Sequence, residues 1–197
     1  MGRPSKPKGI FCIEGLWNDN LKDNSSVRPI LDLLCKSADV PYIYHCVATP
    51  EELMFFLKKW RQKKYNTHYP ILYLSMHGTP ATIKPSYNYN VSIDDVGTLL
   101  QNKCKNKVIF IGSCAVFRSN KKHLKNFLEK TNALLICGYA EYVEWMESTA
   151  FELLLLNILQ KNKLNGRSLR FLLTKINGLV KKFPELKFRI LDKTIIT

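Results

Sequence analysis

The stretch KVIFIGSCAVF, residues 107–117, carries the pattern that decides the fold. Its short apolar run, Val108 to Ile111, is interrupted by Gly112-Ser113 and followed directly by Cys114. Four to eight apolar residues bounded by a turn signal are typical of a strand that is buried on both faces, as in a parallel sheet. The sequence therefore predicts a buried strand with a thiol at its carboxyl end, and the rest of the chain must indicate whether that thiol reacts or only fills the core.

Strand-like runs of this kind alternate with helical patterns along the chain. The segment after Thr49, for example, has proline at its first position and acids in its first turn, which favour a helix start; Ser92 precedes Asp95 by three residues, as in a capping box. The alternation predicts an α/β fold, a three-layer sandwich with a mostly parallel sheet of five to six strands and helices on both faces. The predicted strands are 9–15, 42–48, 69–78, 108–111, 133–139 and an edge strand at 186–192; the predicted helices run from Ser25 or Ser26 to Ala38, from Pro50 to Trp60, from Ser92 to Cys104, and over 119–132, 146–162 and 168–182.

The length of the chain fits one domain. A sequence of 197 residues can bury a sizeable core without dividing. We expect residues 1–8, which are rich in proline and lysine, to form a flexible tail, and residues 9–197 to form a single domain. The segment 79–91 is predicted as a loop or a small hairpin.

The composition is that of an ordinary globular protein, with 46% hydrophobic and 23% charged residues. No apolar run approaches the roughly 18 residues of a membrane span, and the N-terminus has no apolar signal segment, so we expect a cytoplasmic protein with no membrane span. The six cysteines form no CxxC pair and no zinc-like spacing, which predicts free thiols and no metal site. No GxGxxG or GxxxxGK[ST] motif is present, and we predict no cofactor.

Two chemically useful residues end consecutive predicted strands. His77 closes the run YLSMHG, and Cys114 closes KVIFIGSC. If these strands are parallel neighbours, they lie about 4.8 Å apart, and the side chains at their carboxyl ends meet in one crevice. A free thiol is mostly protonated at neutral pH, and a nearby imidazole can remove its proton. The backbone N–H groups of Gly78 and Cys114 are the predicted donors to an oxyanion.

These two motifs, with a hairpin-like segment and a helix between them, resemble the caspase-like cysteine peptidases over residues 9–145. The prokaryotic members, the separases and the bacterial caspase-HetF-associated domains look most similar. The resemblance implies a cysteine endopeptidase in which His77 is the general base and Cys114 the nucleophile, with a protein or peptide as substrate. It also implies control by a partner or a signal, and for some relatives a role in bacterial antiviral defence.

Acidic residues mark the regions that form the specificity pocket in that family. Glu14 lies at the end of the first predicted strand and Asp19 follows it, while Glu141 and Glu144 follow the fifth. Because caspase-like relatives that cut after arginine or lysine place acids there, the resemblance implies a preference for a basic residue before the scissile bond. The alternative interpretation is that these acids are ordinary surface carboxylates that balance nearby lysines.

Two alternatives stay open. The residues after the cysteine, Ala115 to Phe117, are more apolar than in caspases and no QACRG motif occurs, which fits a catalytically inactive caspase-like interaction module. The formal net charge of +14, from 30 Lys+Arg against 16 Asp+Glu, fits a basic nucleic-acid-binding α/β domain. The lysines are scattered, so the charge supports binding without sequence preference at most.

Overall fold

A six-stranded sheet forms the middle layer of the computed structural model, which describes residues 6–20 and 22–195. Neighbouring strands are parallel except for the last pair, in which the edge strand runs antiparallel. Three short strands form a separate antiparallel sheet. In chain order the strands are β1 (Ile10–Gly15), β2 (Tyr42–Val47), β3 (Ile71–Ser75), β4 (His77–Thr79), β5 (Thr82–Lys84), β6 (Val91–Ser92), β7 (Val108–Ile111), β8 (Leu135–Tyr139) and β9 (Phe188–Asp192). The central sheet has the order β2-β1-β3-β7-β8-β9.

Helices cover both faces of the central sheet. In chain order the helices are α1 (Arg28–Ala38), α2 (Pro50–Trp60), α3 (Lys63–Asn66), α4 (Ile93–Leu99), α5 (Lys121–Thr131), α6 (Trp145–Lys161) and α7 (Leu169–Val180). Successive residues of the central strands point to opposite faces of the sheet and enter two separate apolar clusters. One cluster lies under α1, α6 and α7, and the other lies under α2, α4 and α5. The predicted three-layer α/β fold is thus confirmed. The short helix α3 has no counterpart in the sequence prediction.

Three helix starts show how the local sequence acts. Thr49 caps α2 in a full capping box with Glu52, as its sequence indicates. Ser92 caps α4 as predicted, but its hydroxyl accepts from Asp94 N and not from Asp95 N, so the predicted capping box does not form. The helix ends at Leu99, before Cys104. The helix predicted from Ser25 or Ser26 begins at Arg28, with Val27 in the N-cap position; the Ser26 hydroxyl accepts from Arg28 N at 3.1 Å and donates to Glu14.

The third strand is shorter than predicted. The run 69–78 is continuous in the sequence, but β3 ends at Ser75, and residues 77–79 leave the central sheet to pair with β5. The predicted loop or small hairpin therefore takes the hairpin form. Its turn needs a left-handed backbone at Ala81, where φ is 58°.

The two ends of the chain are partly described. Residues 1–5 of the predicted tail lie outside the described residues, and Lys8 is bound to α6 through its backbone N–H, which donates to Gln160 O at 3.3 Å. Within the described residues, no helix is both long and apolar enough to cross a membrane.

Candidate functional site

The carboxyl ends of β3 and β7 hold His77 and Cys114. The two strands are parallel neighbours, with Leu74 opposite Ile111, and Gly112 N donates to Leu74 O at 2.7 Å just beyond the last pair. Both side chains line one cavity of ≈ 150 Å³. The structure therefore brings together the two residues that the sequence singles out.

Gly78 packs against the turn that carries Cys114. A Cβ at Gly78 would lie 2.8 Å from Cys114 O and 2.6 Å from Val116 Cγ2, so only glycine fits between the two strand ends. The turn itself is strained at Ala115, whose φ of 57° is left-handed and unusual for a residue with a side chain. Ala115 N donates to Glu141 O at 3.1 Å, which joins this turn to the loop after β8.

Gly112 has a different role from the one its position suggests. The sequence favours it as the point where the chain turns, but the left-handed residue is Ala115, and Gly112 has no positive φ. A Cβ at Gly112 would lie 2.8 Å from the Tyr73 ring and 3.0 Å from Glu152 Oε1. Glycine is thus needed there for close packing.

The His77 ring is held by the loop after β1. Its Nε2 lies 2.8 Å from the backbone oxygen of Trp17, and because a carbonyl oxygen only accepts, Nε2 carries the proton. The Trp17 indole contacts the imidazole edge to face, with ring centroids 5.2 Å apart. In the neutral ring, Nδ1 consequently keeps its lone pair.

The Cys114 thiol is half-buried, and some of its neighbours raise its pKa while others lower it. Burial raises the pKa of Cys114, and the charge of Glu152 raises it further. Hydrogen bonding to the backbone of Val143 lowers the pKa. Because burial dominates, the thiol holds its proton at neutral pH unless a base removes it.

The other cysteines differ from Cys114 in exposure. Cys35 and Cys46 are exposed, whereas Cys12, Cys104 and Cys137 are buried, and burial raises the pKa of each of these three thiols. The six cysteines are all free.

Glu152 also lines the cavity, and the sequence analysis did not identify it. It lies on α6 with 4% of its surface exposed, and it accepts hydrogen bonds from the hydroxyls of Tyr73 and Tyr139, the second at 3.0 Å. Burial raises the pKa of Glu152 to about 7. Its sequence context, FELLLL, indicates core packing and gives no signal of a buried carboxyl at a cavity.

None of the four acids predicted to bind substrate lines this cavity. Glu14 is buried and accepts hydrogen bonds from the Trp17 indole, the Ser26 hydroxyl, the Val27 backbone and the Tyr44 hydroxyl. It lines a neighbouring cavity of ≈ 440 Å³, which shares Trp17 with the first.

The remaining three acids are at the surface. Asp19 is exposed in the loop after β1. Glu141 forms an ion pair with Arg118, and Glu144 caps α6 by accepting from Glu147 N. Glu141 and Glu144 flank Val143, which lines the cavity.

Comparison with known proteins agrees with the architecture. The structure is similar to that of caspase-1 from Spodoptera frugiperda, with a TM-score of 0.56 and 15% sequence identity over 95% of this chain and 87% of that chain. At this identity the likeness shows a caspase-like fold. A search of the curated proteins gives no match. A family model described as "Family of unknown function (DUF6642)" matches residues 7–190, and the chain belongs to that family.

Proposed function

We propose that the protein is a caspase-like cysteine endopeptidase that works with a Cys114–His77 dyad. The observation that carries the proposal is the shared cavity at the carboxyl ends of β3 and β7, lined by both side chains. This is the edge of a parallel sheet at which α/β proteins usually bind their ligands.

The dyad acts through general-base catalysis. Since burial keeps the Cys114 thiol protonated, His77 Nδ1 takes the proton as Sγ attacks the peptide carbonyl carbon and forms a C–S bond. The imidazolium then returns this proton to the amine as the C–N bond breaks. Water, deprotonated by the same ring, releases the acid from the thioester and restores the thiol. The Trp17 carbonyl, 2.8 Å from Nε2, orients the ring throughout.

Backbone N–H groups at the two strand ends stabilise the oxyanion in this proposal. Gly78 pairs with Ile83 across a two-residue turn that is flanked by Thr79 and Thr82. Because hydrogen-bonded and non-hydrogen-bonded pairs alternate in an antiparallel ladder, the turn-flanking pair takes the ladder bonds, and the Gly78 N–H is directed away from β5. Together with the Cys114 N–H it supplies two donors, each worth about 3 kcal/mol in the transition state.

The preferred substrate in this proposal is a peptide with a basic residue before the scissile bond. Glu141 and Glu144 flank Val143, which lines the cavity, while Glu14 accepts a hydrogen bond from Trp17, which also lines it, and Asp19 follows Trp17 by two residues. These acids place negative charge beside cavity-lining residues in a chain of net charge +14. Exposed apolar side chains at the same edge, Tyr142 and Met146, fit an extended peptide or a regulatory protein.

Hydrolysis of a fluorogenic peptide panel tests the proposal. We expect faster cleavage after Arg or Lys than after Asp, and a loss of at least about 10² in kcat/KM for Cys114→Ala and His77→Ala. Cys35→Ala, which removes an exposed thiol on α1, is the matched control and retains activity. No hydrolysis by a folded wild-type protein would favour the inactive interaction module instead.

A basic cleft at the other end of β7 favours nucleic-acid binding as a second candidate function. The cleft has a volume of ≈ 520 Å³ and is lined by cations and neutral polar residues. Its cations are Arg61, Lys63, Lys103, Lys105 and Lys107, the last of which directly precedes β7. We expect affinity for an oligonucleotide that falls steeply with salt and is weakened by Lys103→Gln with Lys105→Gln. Affinity that is unchanged by these substitutions would remove this candidate.

A further inference from the structure

The inner end of the thiol cavity is formed by two buried polar side chains that the dyad does not use. Glu152 comes from α6, and Ser75 is the last residue of β3, with 4% and 1% of their surfaces exposed. Ser75 Oγ has no hydrogen-bond partner of normal geometry among the described residues; it lies close to the Tyr73 hydroxyl, whose pKa burial raises and Ser75 only partly lowers. A buried hydroxyl without a partner has a free-energy cost that a bound ligand can remove.

The Glu152 carboxylate also keeps unused acceptor capacity. Its two oxygens offer about four acceptor positions, and the hydroxyls of Tyr73 and Tyr139 occupy one on each oxygen. The absence of a side chain at Gly112 leaves Glu152 Oε1 close to the end of β7. The remaining positions are available to a donor that enters the cavity.

The walls between the mouth and this inner end are largely apolar. Trp17 and Trp145 meet edge to face, with centroids 4.9 Å apart, and Val27 and Val143 line the cavity with them. The hydroxyl residues Ser148 and Thr149 of α6 also contribute to the lining. A cavity of ≈ 150 Å³ matches in size one that holds a benzene-sized group, about one long amino-acid side chain. Apolar walls with a carboxylate at the base suit a side chain with an aliphatic stem and a cationic head, and indole faces add cation–π attraction.

We infer that Glu152 and Ser75 form the base of the specificity pocket and bind the ammonium or guanidinium group of a lysine or arginine residue next to the scissile bond. This inference rests on the proposed function. It assigns recognition of the basic residue to two buried groups instead of the four acids predicted from the sequence. Glu14 is committed to four hydrogen bonds of its own, and Glu141 is paired with Arg118, so neither offers a free carboxylate.

The same contact links substrate charge to the thiol. Because the negative charge of Glu152 raises the pKa of Cys114, a cation bound between Glu152 and Ser75 offsets that charge and favours the thiolate. A basic substrate thereby makes the nucleophile more reactive, and a neutral substrate of the same shape does not.

Matched active-site reagents test this pocket on the whole protein. Lysyl, arginyl, norleucyl and glutamyl peptide chloromethylketones differ only in the side chain beside the reactive carbon, and mass spectrometry gives the rate of Cys114 alkylation by each at pH 8. We expect the lysyl and arginyl reagents to react about tenfold or more faster than the norleucyl one, as for a hydrogen bond to a charged group. The norleucyl reagent should in turn exceed the glutamyl one.

Two variants and a neutral reagent complete the test. Glu152→Gln should bring the lysyl and norleucyl rates to within about twofold of each other, whereas Glu147→Gln, an exposed acid on the same helix, should keep the wild-type ratio. If Glu152→Gln does not fold, the ratio of the lysyl to the norleucyl rate in the wild type decides whether the inference holds. Equal lysyl and norleucyl rates in the wild type, or a lysyl preference that survives Glu152→Gln, would overturn the inference. Iodoacetamide separates this outcome from failure of the dyad, since it labels Cys114 preferentially whenever the dyad is competent.

Discussion

Glu152 makes the stability of the fold depend on pH in a direction that can be measured. Burial raises the pKa of this carboxyl from 4.5 to about 7 in the folded protein. Below pH 4.5 both folded and unfolded chains hold the proton. As the pH rises from 4.5 to 7 the unfolded chain releases it while the folded chain retains it, so folding loses stability over this window.

The size of the effect follows from the displacement of the pKa. A change of one unit corresponds to about 1.4 kcal/mol, so a displacement from 4.5 to about 7 gives about 3 kcal/mol in the free energy of unfolding. In Glu152→Gln this contribution is absent because the amide does not titrate. The stability of the wild type relative to the variant should therefore fall by about 3 kcal/mol between pH 4.5 and 8.

Urea unfolding followed by tryptophan fluorescence measures this difference at a series of pH values. Other groups titrate in both proteins and cancel in the comparison. Curves of stability against pH that run parallel for the two proteins would refute the reasoning, and so would a wild type that gains stability over the variant as the pH rises.

Three further predictions concern the effect of single substitutions on the free energy of unfolding. Gly78→Ala should lower the free energy of unfolding by about 1–3 kcal/mol, because its Cβ would lie 2.6–2.8 Å from atoms of residues 113–116; urea unfolding measures this, and an unchanged midpoint would contradict the packing. Gly178→Ala, in α7 with nothing within 4 Å of the new Cβ, should raise the same quantity by about 0.5–1 kcal/mol, and a loss of stability would show that the site is not open. Thr49→Ala should cost about 1 kcal/mol through loss of the α2 cap, with Thr49→Ser close to wild type; equal costs for both would rule out the capping hydroxyl as the cause.

The fold was predictable because its signals are local. Most strands of the central sheet are short apolar runs, and α1, α2, α5 and α7 have one-sided apolar patterns, so the alternation alone indicates the layers. The boundary errors have local causes too. The sequence from Ile71 onward contains no turn signal before Gly78, but residues 77–79 pair with β5 and so belong to the small sheet.

The candidate site was predictable only in part. His77 and Cys114 end consecutive strands, and the parallel order of β3 and β7 then makes them neighbours. Glu152 was missed because its role depends on Tyr73 of β3 and Tyr139 of β8, which contact this α6 residue only in the folded core. The strain at Ala115 was likewise hidden, since nothing in an apolar Ala-Val-Phe segment indicates a left-handed residue.

Site-resolved alkylation with limiting iodoacetamide tests the central claim most directly. The account predicts that Cys114, although half-buried, is modified before the exposed Cys35 and Cys46, and that His77→Ala slows its modification by at least about tenfold while the other two rates stay unchanged. Modification in the order of exposure, with Cys35 and Cys46 ahead of Cys114 and no effect of His77→Ala, would contradict it.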